Sequence, residues 1–176
     1  PIFLLHWRVA QREALHSPEE RASRVRAVFF YAALFGTLSP MVFALVAIID
    51  RGLGGLIGLQ TYDLWFGREG IAADNLIALL INAAAFAFFW YLLRSDWQAD
   101  TPEHFLSETR RLYRYIWLLV GLTLSVSAVF NLLRYLLFTP GQDLLQTGPR
   151  LAGGVALLGA GVPLLIYFWM VVQSAL

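Results

Sequence analysis

Four apolar stretches, at about 27–49, 72–93, 112–137 and 151–173, constrain this chain more than any other feature. Roughly 20 helical residues, rising about 1.5 Å each, cross the ~30 Å hydrocarbon core of a bilayer, and each stretch is that long. Backbone N–H and C=O groups find no water in lipid, so each stretch must satisfy them internally as an α-helix. A transmembrane barrel would require alternating apolar and polar positions; none of these runs alternates. Residues 1–7 read as the tail of a fifth helix. The expected class is therefore all-α, a polytopic transmembrane helical protein.

Composition agrees with a lipid environment. The apolar share is 59% and charged residues only 14%, against about 25% charged in soluble domains. Mean hydropathy is +0.63. The formal net charge of +1 carries no nucleic-acid footprint. Cysteine is absent, which removes disulfides, thiolate metal sites and cysteine nucleophiles. All 13 basic residues are arginine, a side chain suited to the headgroup boundary. The chain opens at Pro1 inside an apolar run, with no charged n-region or cleavage site of a signal peptide. We expect it to be part of a longer protein.

The sequence also repeats itself. Pro1-Ile-Phe-Leu-Leu-His-Trp7, Ala84-Ala-Phe-Ala-Phe-Phe-Trp90 and Pro163-Leu-Leu-Ile-Tyr-Phe-Trp169 close three apolar runs roughly 80 residues apart. Ser17-Pro18-Glu19 aligns with Thr101-Pro102-Glu103, and Ser23, Arg26 and Tyr31 align with Ser107, Arg110 and Tyr115, all at an offset of 84. The expectation is a tandem array of helix pairs: a first unit over 1–83, a second over 84–162, and the start of a third at 163–176. Ser or Thr at the N-cap, Pro at the first helical position and Glu in the first turn make a strong helix start. Helices should begin near Pro18 and Pro102 and run unbroken into the membrane for over 30 residues.

Arginine distribution assigns sides. The segments 8–26 and 94–114 hold nine arginines, against four in the two other connections. The positive-inside rule places loops 8–26 and 94–111 in the cytoplasm, across a bacterial inner membrane. The outer connection from Arg51 to Ala73 is glycine-rich (Gly52, Gly54, Gly55, Gly58) and then aromatic (Tyr62, Trp65, Phe66). The other, from Thr139 to Arg150, carries the turn signals Pro140-Gly141 and Gly148-Pro149.

Few residues qualify as site candidates. His6 has the chemistry of an axial ligand to haem or to a chlorin magnesium. However, Phe89 and Phe168 hold its place in the other copies, and an interfacial hydrogen bond is the expected role. His16 and His104 lie in the arginine-rich loops, and no pair has metal-ligand spacing. Trp7, Trp90 and Trp169, with Trp97 just beyond, are expected to form an interfacial aromatic belt rather than a stacking platform. Asn82, near mid-span, should make one helix–helix hydrogen bond. Asn131 and Arg134 lie one turn apart toward the outer end of their helix. No acidic or basic residue occupies mid-bilayer, which argues against an ion-coupled carrier. Ala152, Ala156 and Ala160, flanked by Gly153 and Gly161, form a small-residue stripe that permits close helix packing, within the chain or against another subunit. Pro40 and Pro163 should bend their helices. The arginine-rich loops also carry Glu13, Glu19, Glu20, Asp100, Glu103 and Glu108, and are expected to form a solvated collar rather than a lipid-specific site.

The run Pro1-x-Phe3-x-x-His6-Trp7-x-x-x-Gln11-Arg12, followed by Ser17-Pro18-Glu19-Glu20-Arg21 and Arg26, resembles an uncharacterised bacterial integral-membrane family, a domain of unknown function. The match is good over the first 35 residues. It is looser from Trp90 to Tyr115, where the His, the Gln-Arg and the second Glu are missing, and the last copy keeps only Pro163, Trp169 and Gln173. The resemblance implies a polytopic membrane protein with tandem units and no activity, cofactor or catalytic residue. The function expected first is a non-catalytic accessory or scaffold subunit of a larger membrane complex, an energy-converting one (photosynthetic or respiratory) being a candidate. Its partners would be membrane lipids and other integral membrane subunits, with no nucleic acid, metal or cofactor. The alternatives are a small-solute transporter or channel, with a path lined by Asn82, Ser125, Ser127, Asn131 and Arg134, and a pigment- or haem-binding protein using His6.

Overall fold

The computed structural model describes residues 9, 12, 24–57, 72–98, 104–138 and 144–174. Four helices hold nearly all of them: α1 (Arg24–Ile57), α2 (Ala72–Gln98), α3 (His104–Phe138) and α4 (Leu144–Gln173). Each contains a segment long and apolar enough to cross a bilayer, over Val25–Leu56, Ala73–Arg94, Glu108–Leu137 and Leu151–Gln173. The chain is thus an all-helical multi-pass membrane protein, and the four expected spans fall within these bounds.

Two connections are shorter than expected, for one reason. α1 takes Gly52, Gly54 and Gly55 into its last turns, and α4 begins at Leu144, so Gly148 and Pro149 are helical instead of marking a turn. Glycine costs a helix about 1 kcal/mol in water, where an unwound backbone is hydrated at no loss. Beside a bilayer, an unwound residue leaves its N–H and C=O unsatisfied at several kcal/mol, and the helix continues. α1 also runs through Pro40 without interruption. The long helices that the Ser/Thr-Pro-Glu signals predict are present: α1 has 34 residues and α3 has 35, starting two residues after Pro102. The start near Pro18 lies outside the described residues.

Close contacts fix the direction of each helix. Ring pairs Tyr31–Tyr113 (5.2 Å) and Phe35–Trp117 (5.2 Å) advance together, so α1 and α3 run parallel. Gly121 lies against Leu165, Gly161 against Leu124 and Gly154 against Leu132, so α4 runs antiparallel to α3. Gly159 approaches Ile49 of α1. α4 therefore seats itself against both α1 and α3. α2 packs principally on α1, where Phe29 meets Phe89 at 6.4 Å, and makes no substantial contact with α3 or α4. The N-terminal ends of α1 and α3 and the C-terminal ends of α2 and α4 consequently share one end of the bundle, the end that carries Arg26, Arg110 and Arg114.

The core follows from this arrangement. α1 contributes Phe30, Tyr31, Leu34, Val42 and Val46. α3 contributes Tyr113, Trp117, Leu124 and Ala128, and α4 Ala156, Leu157, Ala160 and Phe168. α2 buries only Leu93 among its described side chains. Between helices in lipid there is no hydrophobic driving force, so association rests on close van der Waals packing. The α3–α4 seam shows how close it is. A Cβ on Gly121 would fall 2.8 Å from the Leu165 backbone N, and one on Gly161 would fall 2.8 Å from Leu124 Cβ and 2.9 Å from the Ser125 backbone N. The stripe that contains Ala152, Ala156 and Ala160 thus packs inside the chain.

Candidate functional site

Five polar side chains within the spans are turned onto their own helices. Asn82 Nδ2 donates to Ala78 O at 2.8 Å, Ser125 Oγ to Gly121 O at 2.8 Å, and Asn131 Nδ2 to Ser127 O at 2.9 Å. Thr37 and Thr123 donate in the same way to Ala33 O and Leu119 O, each at 2.9 Å. A donor in an apolar medium must find an acceptor, and the carbonyl one turn back is always within reach. The bond expected of Asn82 between helices is made within α2 instead. Asn82 also stays apart from Ser125, Ser127, Asn131 and Arg134, because those lie on α3 and α2 does not pack there. Arg134 is exposed. The set proposed from sequence as a polar path does not converge.

A different group of side chains does. At the arginine-bearing end, Tyr31, Tyr113, Trp117 and Phe168 form a continuous aromatic cluster across α1, α3 and α4. Tyr113 meets Phe168 edge to face at 6.3 Å, and Trp117 stacks on Phe168 at 6.1 Å and 17°. Such offset and edge contacts are favourable beyond the area they bury. Tyr167 stands beside Phe168 at 5.1 Å. Trp117 is 1% exposed and Tyr31 5%. The Tyr31 hydroxyl is fully enclosed and has no hydrogen-bond partner among the described residues. Above the cluster lie cations: Arg26 sits 5.2 Å over the Phe30 ring, and Arg110 and Arg114 are both within electrostatic reach of the Tyr31 hydroxyl. Cation–π contact and snorkelling both suit arginine at this depth.

Sequence reading noticed Tyr31 and Arg110 only as repeat markers, and Phe168 only as the counterpart of His6. It missed Tyr113, Trp117 and Gly121 altogether. A signal was available: Tyr113, Trp117, Gly121, Leu124 and Ala128 recur at intervals of three or four, one face of a helix with rings at one end and small residues at the other.

Trp90 and Trp169 project from the bundle, 38% and 52% exposed, at the end where both helices finish. Phe86 stacks on Trp90 at 6.3 Å. Exposed indoles at a helix end are what an interfacial aromatic belt requires. His6, Trp7 and His16 lie outside the described residues, and the side chains of Trp97 and His104 do too. Among the described residues no group of His, Cys, Asp or Glu is arranged to hold a metal ion.

Residues 1–92 match the family described as Domain of unknown function (DUF5671). No curated protein and no solved structure matches the chain.

Proposed function

We infer, from the premise that this chain belongs to the DUF5671 family of domains of unknown function, that it serves as a non-catalytic accessory or scaffold subunit in a larger membrane assembly. The observation that carries this reading is the unequal packing of the bundle. α1, α3 and α4 hold one another closely, whereas α2 leans chiefly on α1 and presents much of its apolar surface outward, Leu76, Ile77, Leu80, Ile81 and Phe88 included. The turning of Asn82, Ser125 and Asn131 onto their own backbones points the same way. Polar groups that line a solute path keep donors and acceptors free for the solute, and these side chains give theirs to the helix. The proposed setting is a bacterial inner membrane with loops 8–26 and 94–111 in the cytoplasm, a tandem helix-pair organisation, and lipids and other integral membrane subunits as partners.

Purification of the full-length protein from its native membrane in mild detergent tests the reading. A second integral membrane protein should co-purify at stoichiometric yield. A single monodisperse species, obtained at native expression level without any partner, would remove the proposal.

A further inference from the structure

In the tandem organisation proposed above, the hairpins α1–α2 and α3–α4 correspond residue by residue. The offset is 84 between α1 and α3, and 79 between α2 and α4 (Trp90 to Trp169). Phe29 of α1 meets Phe89 of α2 edge to face at 6.4 Å and 78°. Their counterparts, Tyr113 and Phe168, meet edge to face at 6.3 Å and 71°. Between the hairpins, Gly159 of α4 lies against Ile49 of α1. Around that contact Ala156 and Ala160 of α4 are buried, as are Val42 and Val46 of α1. The same offsets carry this contact onto Ile77, Leu80 and Ile81 of α2 and onto Val126, Phe130 and Leu133 of α3. All six are exposed. The surfaces that close on each other once between the hairpins thus recur, open, on the two edges of the bundle. α2, which carries one edge, is the least covered of the four spans.

We propose that these two edges dock on each other between two copies of the chain, α2 of one copy taking against α3 of the next the place that α4 takes against α1. The inference rests on the tandem organisation and not on the accessory-subunit role. α1 and α3 run parallel, so copies inserted with one sidedness present the two edges antiparallel, as α4 is to α1. The pairing is head to tail rather than two-fold, and it propagates until a ring closes. Shape agrees with it. With Leu80 set against Leu133, one turn along places Phe130 opposite Ala84, and two turns along place Val126 opposite Ala87. Each large side chain meets a small, exposed one, and close packing of that kind is what holds helices together in lipid. Charge agrees as well. Asp74 in the first turn of α2 and exposed Arg134 beside Leu133 bring opposite signs to the two edges, at the end of the bundle away from Arg26.

Disulfide cross-linking of the full-length protein in its native membrane tests the docking, since these 176 residues contain no cysteine. Leu80→Cys and Leu133→Cys are expressed together under different tags and oxidised. A mixed dimer should form, and neither variant alone should give one. Ala84→Phe, added to the Leu80→Cys copy, fills the place opposite Phe130 and should abolish the mixed dimer, with helicity by circular dichroism unchanged. Ile49→Cys and Gly159→Cys in one chain should close an internal disulfide at the contact that serves as template. A dimer from Leu80→Cys alone would mean that α2 pairs with α2, and would overturn the proposal. Cross-linking to a different protein, or no cross-link at all, would overturn it too, the edges then being covered by a foreign subunit, by lipid or by another segment of the same chain. A mixed dimer of Leu80→Cys with Val126→Cys but not with Leu133→Cys would mean that copies meet in another register; the proposal then falls together with the tandem correspondence. The accessory-subunit role is judged separately, by co-purification.

Discussion

Two glycines decide how close α3 and α4 come. Gly121 meets the backbone of Leu165, and Gly161 meets Leu124 and Ser125. Both would-be contacts involve main-chain atoms, which do not swing aside as the tip of a long side chain does. A methyl group at either position must push the helices apart and loosen contacts along the whole seam. Gly121→Ala and Gly161→Ala should each destabilise the protein by about 1–3 kcal/mol in denaturation from detergent micelles. Gly36→Ala is the control, since nothing lies within 4 Å of its added Cβ, and it should be neutral or slightly stabilising. Gly161 was legible in the sequence because it sits in a run of small residues. Gly121 was not, because it stands alone between Val120 and Leu122 and its partner is a backbone segment some 40 residues away. The aromatic cluster escaped for a similar reason. Tyr113, Trp117 and Phe168 look like ordinary span residues until α4 folds back on α3.

The four spans were readable because lipid leaves a polypeptide almost no alternative. Which face each helix turns inward was not. α2 is apolar all round, and nothing in its sequence distinguishes the side that meets α1 from the sides that meet lipid. Its described residues contribute one buried side chain, Leu93. α1 is as apolar, yet it buries a stripe that includes Phe30, Leu34, Val42 and Val46. The two helices should respond differently to truncation. Leu34, with no exposure at all, should lose about 2–5 kcal/mol on substitution by Ala through the cavity left behind. Leu80→Ala and Ile81→Ala, on the outward surface of α2, should change the stability of the isolated protein by less than about 0.5 kcal/mol. Thermal unfolding of the three variants in the same detergent separates the cases. If Leu80→Ala proved as costly as Leu34→Ala, α2 would have to be packed more closely than its contacts show. The connections were misjudged at Gly52, Gly54, Gly55, Gly148 and Pro149, because turn residues calibrated on soluble proteins lose their meaning where unwinding has no solvent to turn to.

At the scale of the molecule, the helix directions make a topological statement. α1 and α3 are parallel and α4 returns between them, so positions near Val25, Glu108 and Gln173 lie at one end and positions near Leu56 and Leu137 at the other. The native chain has no cysteine, which makes single substitutions clean reporters. Val25→Cys, Glu108→Cys and Gln173→Cys should react with a membrane-impermeant maleimide from one side of a sealed vesicle. Leu56→Cys and Leu137→Cys should react only from the other. Mixed labelling within the first group would contradict the arrangement. The seat of α4 has a further consequence for biogenesis. Until α4 leaves the ribosome, the glycine notch of α3 has nothing to close on, and the rings of Tyr113 and Trp117 lack the one from Phe168. The α1–α2 hairpin can assemble while synthesis proceeds, but α3 must wait in the lipid, half-dressed, for a segment translated after it. A mutation that delays α4 insertion should therefore expose α3 to quality-control proteases before any of the other helices.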